Sequence, residues 1–71
     1  MKIQYYEGSD TLHILFHPTP AVETRDLDED SFYDVDERGR LVSITVERVK
    51  ERHGDPNVAY EKIPAVLPVG L

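Results

Sequence analysis

The chain has 71 residues, with 14 acidic against 8 basic side chains, a net charge of −6, no cysteine and no tryptophan. Without cysteine there is no disulfide framework and no thiolate zinc or iron–sulfur site, and net acidity opposes nucleic-acid binding, which rests on Lys and Arg neutralising phosphates. So short a chain forms one domain at most, and below roughly 70–80 residues a single core rarely supplies more than ~3–5 kcal/mol unaided, so assembly is the expected support.

Residues 1–7 lack the apolar core of a signal peptide, and no run approaches the ~20 apolar residues of a membrane span, so a cytoplasmic, soluble protein without membrane contact is expected. Ile3-Gln4-Tyr5-Tyr6 reads as a strand, Glu7-Gly8-Ser9-Asp10 as a turn, and residues 11–16 as the returning strand of a hairpin. On that strand Leu12, Ile14 and Phe16 point one way and Thr11, His13, Leu15 and His17 the other. Pro18 and Pro20 end it, because proline cannot donate to a ladder. Residues 21–27 form a weaker strand, so crowded with charge that it belongs at an edge or is wet on one face.

Residues 32–35 and 41–46 read as a second hairpin. Asp36-Glu37-Arg38-Gly39 has the Asp and Gly of a type I turn followed by a glycine bulge, which predicts Asp36 opposite Arg40. Carried outward, that register sets Val35 against Leu41, Tyr33 against Ser43 and Phe32 against Ile44. Phe32, Val42, Ile44 and Val46 would then share one face and Tyr33, Val35 and Leu41 the other, so something should cover both faces. Residues 47–53 have helix formers, bases in the last turn and Gly54 to end it, which predicts a short helix that persists only if docked. Ile63, Val66, Leu67, Val69 and Leu71 among Pro64, Pro68 and Gly70 then predict an extended arm packed on its own or a neighbouring subunit. The predicted fold is therefore mainly β (α+β), with four or five antiparallel strands in hairpins and one short helix near 47–53. The small β domain is assigned to residues 1–53, and 54–71 form the Pro-rich apolar C-terminal arm.

The run Met1-Lys2-Ile3-x-Tyr5, then Asp10-x-Leu12-x-Ile14, then Val35-Asp36-Glu37-x-Gly39-Arg40-Leu41-Val42-x-Ile44 resembles the small, mostly bacterial proteins of the domain of unknown function 2283 family, over residues 1–50. The resemblance implies a compact β unit of this size with no established activity. Family members encoded beside small toxin-like proteins imply an antitoxin-like role as an acidic partner. The chain departs from the family pattern at Ser43-Ile44-Thr45-Val46-Glu47-Arg48-Val49, and the tail beyond Gly54 has no family counterpart.

The residues offer little catalytic chemistry. Asp34-x-Asp36-x-Arg38-Gly39 opens like an EF-hand loop, but its fifth position is Arg and its twelfth is Thr45, where a bidentate Glu is required. Asp26, Asp28 and Asp30 are the candidates for a loose divalent-cation site, against the reading of a solvated acidic loop or ion pairs with Arg25, Arg38 and Arg40. His13 and His17 have helical zinc-ligand spacing, yet on a strand they lie roughly 13 Å apart, too far to share an ion. On an interface their charging would make association pH-sensitive. Ser9, Asp10 and His13 are explained by the turn, no Gly-rich phosphate loop is present, and Glu47 and Glu51 interrupt the bases Arg48, Lys50, Arg52 and His53.

No catalytic residue and no cofactor is therefore expected. The charge is uneven, net −8 over residues 1–37 and +2 over 38–71. The expected function is that of an acidic, self-associating module that takes a basic protein partner through residues 23–37. A divalent-cation or small-molecule site in the acidic loop is the alternative. Tyr5, Leu15, Tyr33, Ile63, Val66 and Leu67 are the expected interface residues, Tyr5 and Tyr33 because aromatics serve both a Trp-free core and an anchor.

Overall fold

The structure, a computed structural model, describes residues 1–66. It is mainly β, as the alternation predicts. Strands β1 (Lys2–Tyr6), β2 (Thr11–Leu15), β3 (Glu23–Asp28), β4 (Ser31–Val35) and β5 (Leu41–Val46) precede a single helix, α1 (Val49–His53). They form one antiparallel sheet in the order β1-β2-β5-β4-β3. Residues 16–22 carry the chain from β2 past β5 and β4 to the far edge.

Local chemistry accounts for the turns. In the first hairpin Ser9 N–H donates to the Tyr6 carbonyl at 3.3 Å, and Asp10 takes a left-handed φ of 51°, which Asp tolerates better than most residues. Between β3 and β4 the Asp28 carboxylate accepts from Asp30 N–H and the Ser31 hydroxyl, each at 2.8 Å, closing an Asx turn. The β4–β5 turn is as expected: Gly39 N–H donates to the Asp36 carbonyl and Asp36 N–H to the Arg40 carbonyl, each at 2.9 Å, with Gly39 at φ 78°.

The predicted register survives only one step beyond that turn. Val35 does face Leu41, but Asp34 then faces Ser43, so Val42 is an extra residue and every later pair shifts by one. Tyr33 stands opposite Ile44 and Phe32 opposite Thr45, which corrects the expected pairs of Tyr33 with Ser43 and Phe32 with Ile44. Such a bulge sets two residues against one and moves the rest of the strand to the other face. The consequence for the faces is large. Ile3, Tyr5, Leu12, Ile14, Tyr33, Val35, Ile44 and Val46 share one face, so the expectation of two partly apolar faces gives way to one that is continuously apolar.

Nothing among the described residues forms a second layer over that face. Val35, Val42 and Val49 are the buried apolar side chains, at 5–6% exposure, and no large side chain is fully buried. Helix α1, five residues and about 7.5 Å long, docks at one end of a sheet about 19 Å across its five strands. It begins at Val49, two residues inside the expected span. Residues 54–66 form neither strand nor helix and are exposed except for Pro56, so this part of the arm does not pack on its own sheet. The chain exposes 5914 Å², against roughly 4,500 Å² for a compact monomer of 8.1 kDa.

Candidate interaction surface

Two rows of directly opposed residues cross the apolar face. One runs Ile3, Ile14, Ile44, Tyr33 and ends at Arg25 on the β3 edge; the other runs Tyr5, Leu12, Val46, Ser31. The opposite face is mostly polar, Phe32 and Leu15 being its apolar members: its rows run Gln4, His13, Thr45, Phe32, Asp26, and Lys2, Leu15, Ser43, Asp34, Thr24. There Asp34 accepts from the Ser43 hydroxyl at 3.0 Å and also from the Thr24 hydroxyl. The division follows from the pleat, which sends successive side chains to alternate faces.

The expected interface residues do not form one surface. Tyr5 and Tyr33 lie on the apolar face and Leu15 on the polar one. Ile63 and Val66 stand out on the arm, each 78% exposed, and Leu67 lies outside the described residues. His13 is also on the polar face, and its Nδ1 is buried with no hydrogen-bond partner. His17 lies past the end of β2 and donates its N–H to the Val42 carbonyl.

Of the three carboxylates proposed for a cation, Asp28 and Asp30 are engaged in holding the fold. Asp26 faces outward on β3 and Asp28 closes the Asx turn. The Asp30 oxygens accept from Arg48 Nε and Nη2, both at 2.8 Å, and from Arg52. The Arg48 guanidinium, with Arg52 behind it, holds the Asp30 carboxyl below its ordinary range against the opposing effect of burial. Arg25 pairs with Glu23 at 2.7 Å, not with the acidic loop. Among the described residues no group of three His, Cys, Asp or Glu side chains is placed to hold a metal ion.

Asp10 has a role that sequence spacing does not show. Arg48, the residue before α1, offers no side-chain cap and sits in the left-handed region at φ 53°. Asp10 supplies the cap from forty residues away, accepting from Lys50 N–H at 2.9 Å and Glu51 N–H at 3.3 Å while its own carbonyl accepts from Val49 N–H at 3.1 Å. The Tyr5 hydroxyl also donates to Asp10 at 2.5 Å. That hydrogen bond keeps the Asp10 carboxyl low, and it pushes the Tyr5 hydroxyl up to about 12. Asp10 and Asp30 thus hold α1 from either side, and the i, i+4 spacing of Arg48 and Arg52 was the one sequence sign of the second contact.

At the opposite end of the sheet Asp36 is buried. Its Oδ1 accepts from Arg38 and Arg40 N–H, each at 2.9 Å, and its Oδ2 from Arg40 Nε at 2.8 Å and the Thr19 hydroxyl at 3.3 Å. Burial alone would raise this carboxyl, yet the Arg40 and Arg38 hydrogen bonds outweigh it and bring it down to about 2. The strongest carboxylate sites of the chain are therefore occupied in holding the fold together. Among the described residues, what stays open is the apolar face, the two sheet edges and residues 57–66.

Residues 2–50 match the model of a family described as protein of unknown function (DUF2283), a span that covers all five strands and the first residues of α1. No curated protein and no solved structure matches. Among the described residues no helix is long and apolar enough to cross a membrane.

Proposed function

We infer that this chain, which belongs to the DUF2283 family of proteins of unknown function, is a non-catalytic module that works by association, first with further copies of itself. The observation that carries this reading is the row Ile3, Ile14, Ile44, Tyr33 on a sheet over which no described residue forms a second layer. A sheet with one apolar face has to bury that face against another layer, and two sheets packed face to face at about 10 Å do so. A second copy offers the matching surface, and its approach would bury the side chains that one copy leaves half-exposed.

A basic protein partner is the second reading, in keeping with an antitoxin-like role. It is favoured by β3, which is exposed along its whole length and carries Glu23, Asp26 and Asp28, with Glu29 following. Acidic groups on an edge steer a basic partner and set its orientation more than they add affinity.

Size-exclusion chromatography with light scattering tests the first reading. A mass of two or more chains at micromolar concentration is expected, falling toward one chain in Ile44→Asp; a native monomer would overturn the reading. For the second, Asp26→Lys with Glu29→Lys should release a basic protein captured with the native chain and leave the oligomer mass unchanged.

A further inference from the structure

The two edges of the sheet are defended very differently. Edge strands expose unpaired N–H and C=O groups, and proteins block unwanted pairing with charges, bulges and shortness. The β3 edge carries Glu23, Arg25, Asp26 and Asp28 in six residues, with a register irregularity between Asp26 and Asp28. The β1 edge, Lys2-Ile3-Gln4-Tyr5-Tyr6, has a single charge at its start and regular pairing along its length, and no described residue pairs with its outer side.

Which groups of β1 point outward follows from the ladder. Phe16 N–H donates to the Val42 carbonyl at 2.8 Å, in register with Leu15 opposite Ser43, so 12, 14 and 16 direct their backbone groups toward β5. Residues 11, 13 and 15 therefore turn to β1, where they face 6, 4 and 2. The N–H and C=O of Ile3 and Tyr5 are left pointing away from the sheet, because the two backbone groups of one residue in an antiparallel strand face the same neighbour.

We propose that two copies pair through β1, antiparallel about a two-fold axis at Gln4, and so join their sheets edge to edge. This register sets Ile3 opposite Tyr5 of the second copy and Tyr5 opposite its Ile3, which engages all four outward donors and acceptors in each direction. It also keeps the faces aligned, since paired residues share parity. The apolar row Tyr33, Ile44, Ile14, Ile3 then continues into Tyr5 and Leu12 of the second copy without a charged interruption. Centring the pairing on Tyr5 instead would set Ile3 against Glu7 in the turn. The proposal rests on the self-association reading and adds a lateral contact that the face alone does not require.

The test uses cysteine cross-linking, for which the chain is suited because it has no cysteine of its own. At the two-fold the Gln4 residues form a non-hydrogen-bonded pair with Cα atoms about 4.5 Å apart, within disulfide reach. The two Lys2 residues lie four positions out of register, about 13 Å apart, beyond the ~7 Å limit. Under mild oxidation Gln4→Cys should give a covalent dimer on a denaturing gel and Lys2→Cys should not. Adding Ile3→Pro, which removes an outward N–H and spares the β1–β2 bonds, should reduce the Gln4→Cys dimer to the Lys2→Cys level. Equal cross-linking at both positions, or none at Gln4 in a sample whose native mass is oligomeric, would overturn the edge pairing and leave self-association standing. A native monomer would overturn both.

Discussion

Tyr33 and Ile44 face one another across the β4–β5 ladder because Val42 is inserted between the pairs Val35–Leu41 and Asp34–Ser43. That single extra residue puts Tyr33 and Val35 of β4 on the same face as Ile44 and Val46 of β5, with Phe32 and Leu15 left on the other. With the pleat uninterrupted, Tyr33 would lie beside Ser43 and each face would be mixed. The bulge thus gives the sheet one predominantly apolar face.

Truncating Ile44, central on that face and half-buried in one copy, should destabilise the fold by about 1–2 kcal/mol, below the 2–5 kcal/mol of fully buried sites. Chemical denaturation of Ile44→Ala measures this. Under the proposed self-association the loss should depend on protein concentration, since a second copy packed on this face would bury the same side chain further.

Asp10→Asn should loosen α1 while the sheet persists. An amide has one acceptor oxygen where the carboxylate has two, and no charge to set at the helix start, so it cannot serve Tyr5, Lys50 and Glu51 together and holds the two N–H groups less tightly. Amide exchange read by NMR should show faster exchange at these two positions and little change at Ile14 or Ile44.

Acid should act through Asp36. Its folded-state value of about 2 lies below the ordinary 3.8, so it contributes stability that is complete above pH 3.8 and disappears as the pH falls through 2. Asp10, Asp28 and Asp30 are also lowered and reinforce the trend. Thermal melts should fall over this window, and Asp36→Asn should flatten the dependence while lowering the melting temperature at neutral pH.

Alkali should act through Tyr5. Its hydroxyl is raised from 10.0 to about 12, so the hydrogen bond to Asp10 contributes stability below pH 10 that is lost as the pH rises through 12. Tyr5→Phe should remove this part of the alkaline decline, seen as a smaller drop in melting temperature between those pH values.

Ending the chain after Gly54 should leave the far-ultraviolet circular dichroism of the sheet intact. Residues 57–66 bury nothing in the fold described, with Val58, Tyr60, Ile63 and Val66 all exposed. Lost sheet signal in this variant would show the arm to be part of the folded unit.

The strands, the β1–β2 and β4–β5 hairpins and the Asp36–Arg40 closure could be read from the sequence, since alternation, Gly39 and the turn residues act within a few residues of one another, whereas the β3–β4 hairpin about Asp28 could not. The shape of the surface was less legible. Tyr5 and Tyr33 stand out in the sequence as large side chains, but nothing local to them places both on one face with Leu15 on the other. The same holds for Asp30, whose carboxylate suits a cation until Arg48 and Arg52 are brought to it.

The sequence by itself determined a short, acidic, β-rich chain, because composition and short-range periodicity suffice for that. Only the tertiary structure decided that β5 lies between β2 and β4, that Val42 bulges, and that Asp10 caps a helix forty residues away. Each of these is a pairing between distant segments, chosen by the joint burial and hydrogen bonding of both partners, and no stretch of sequence carries that information alone.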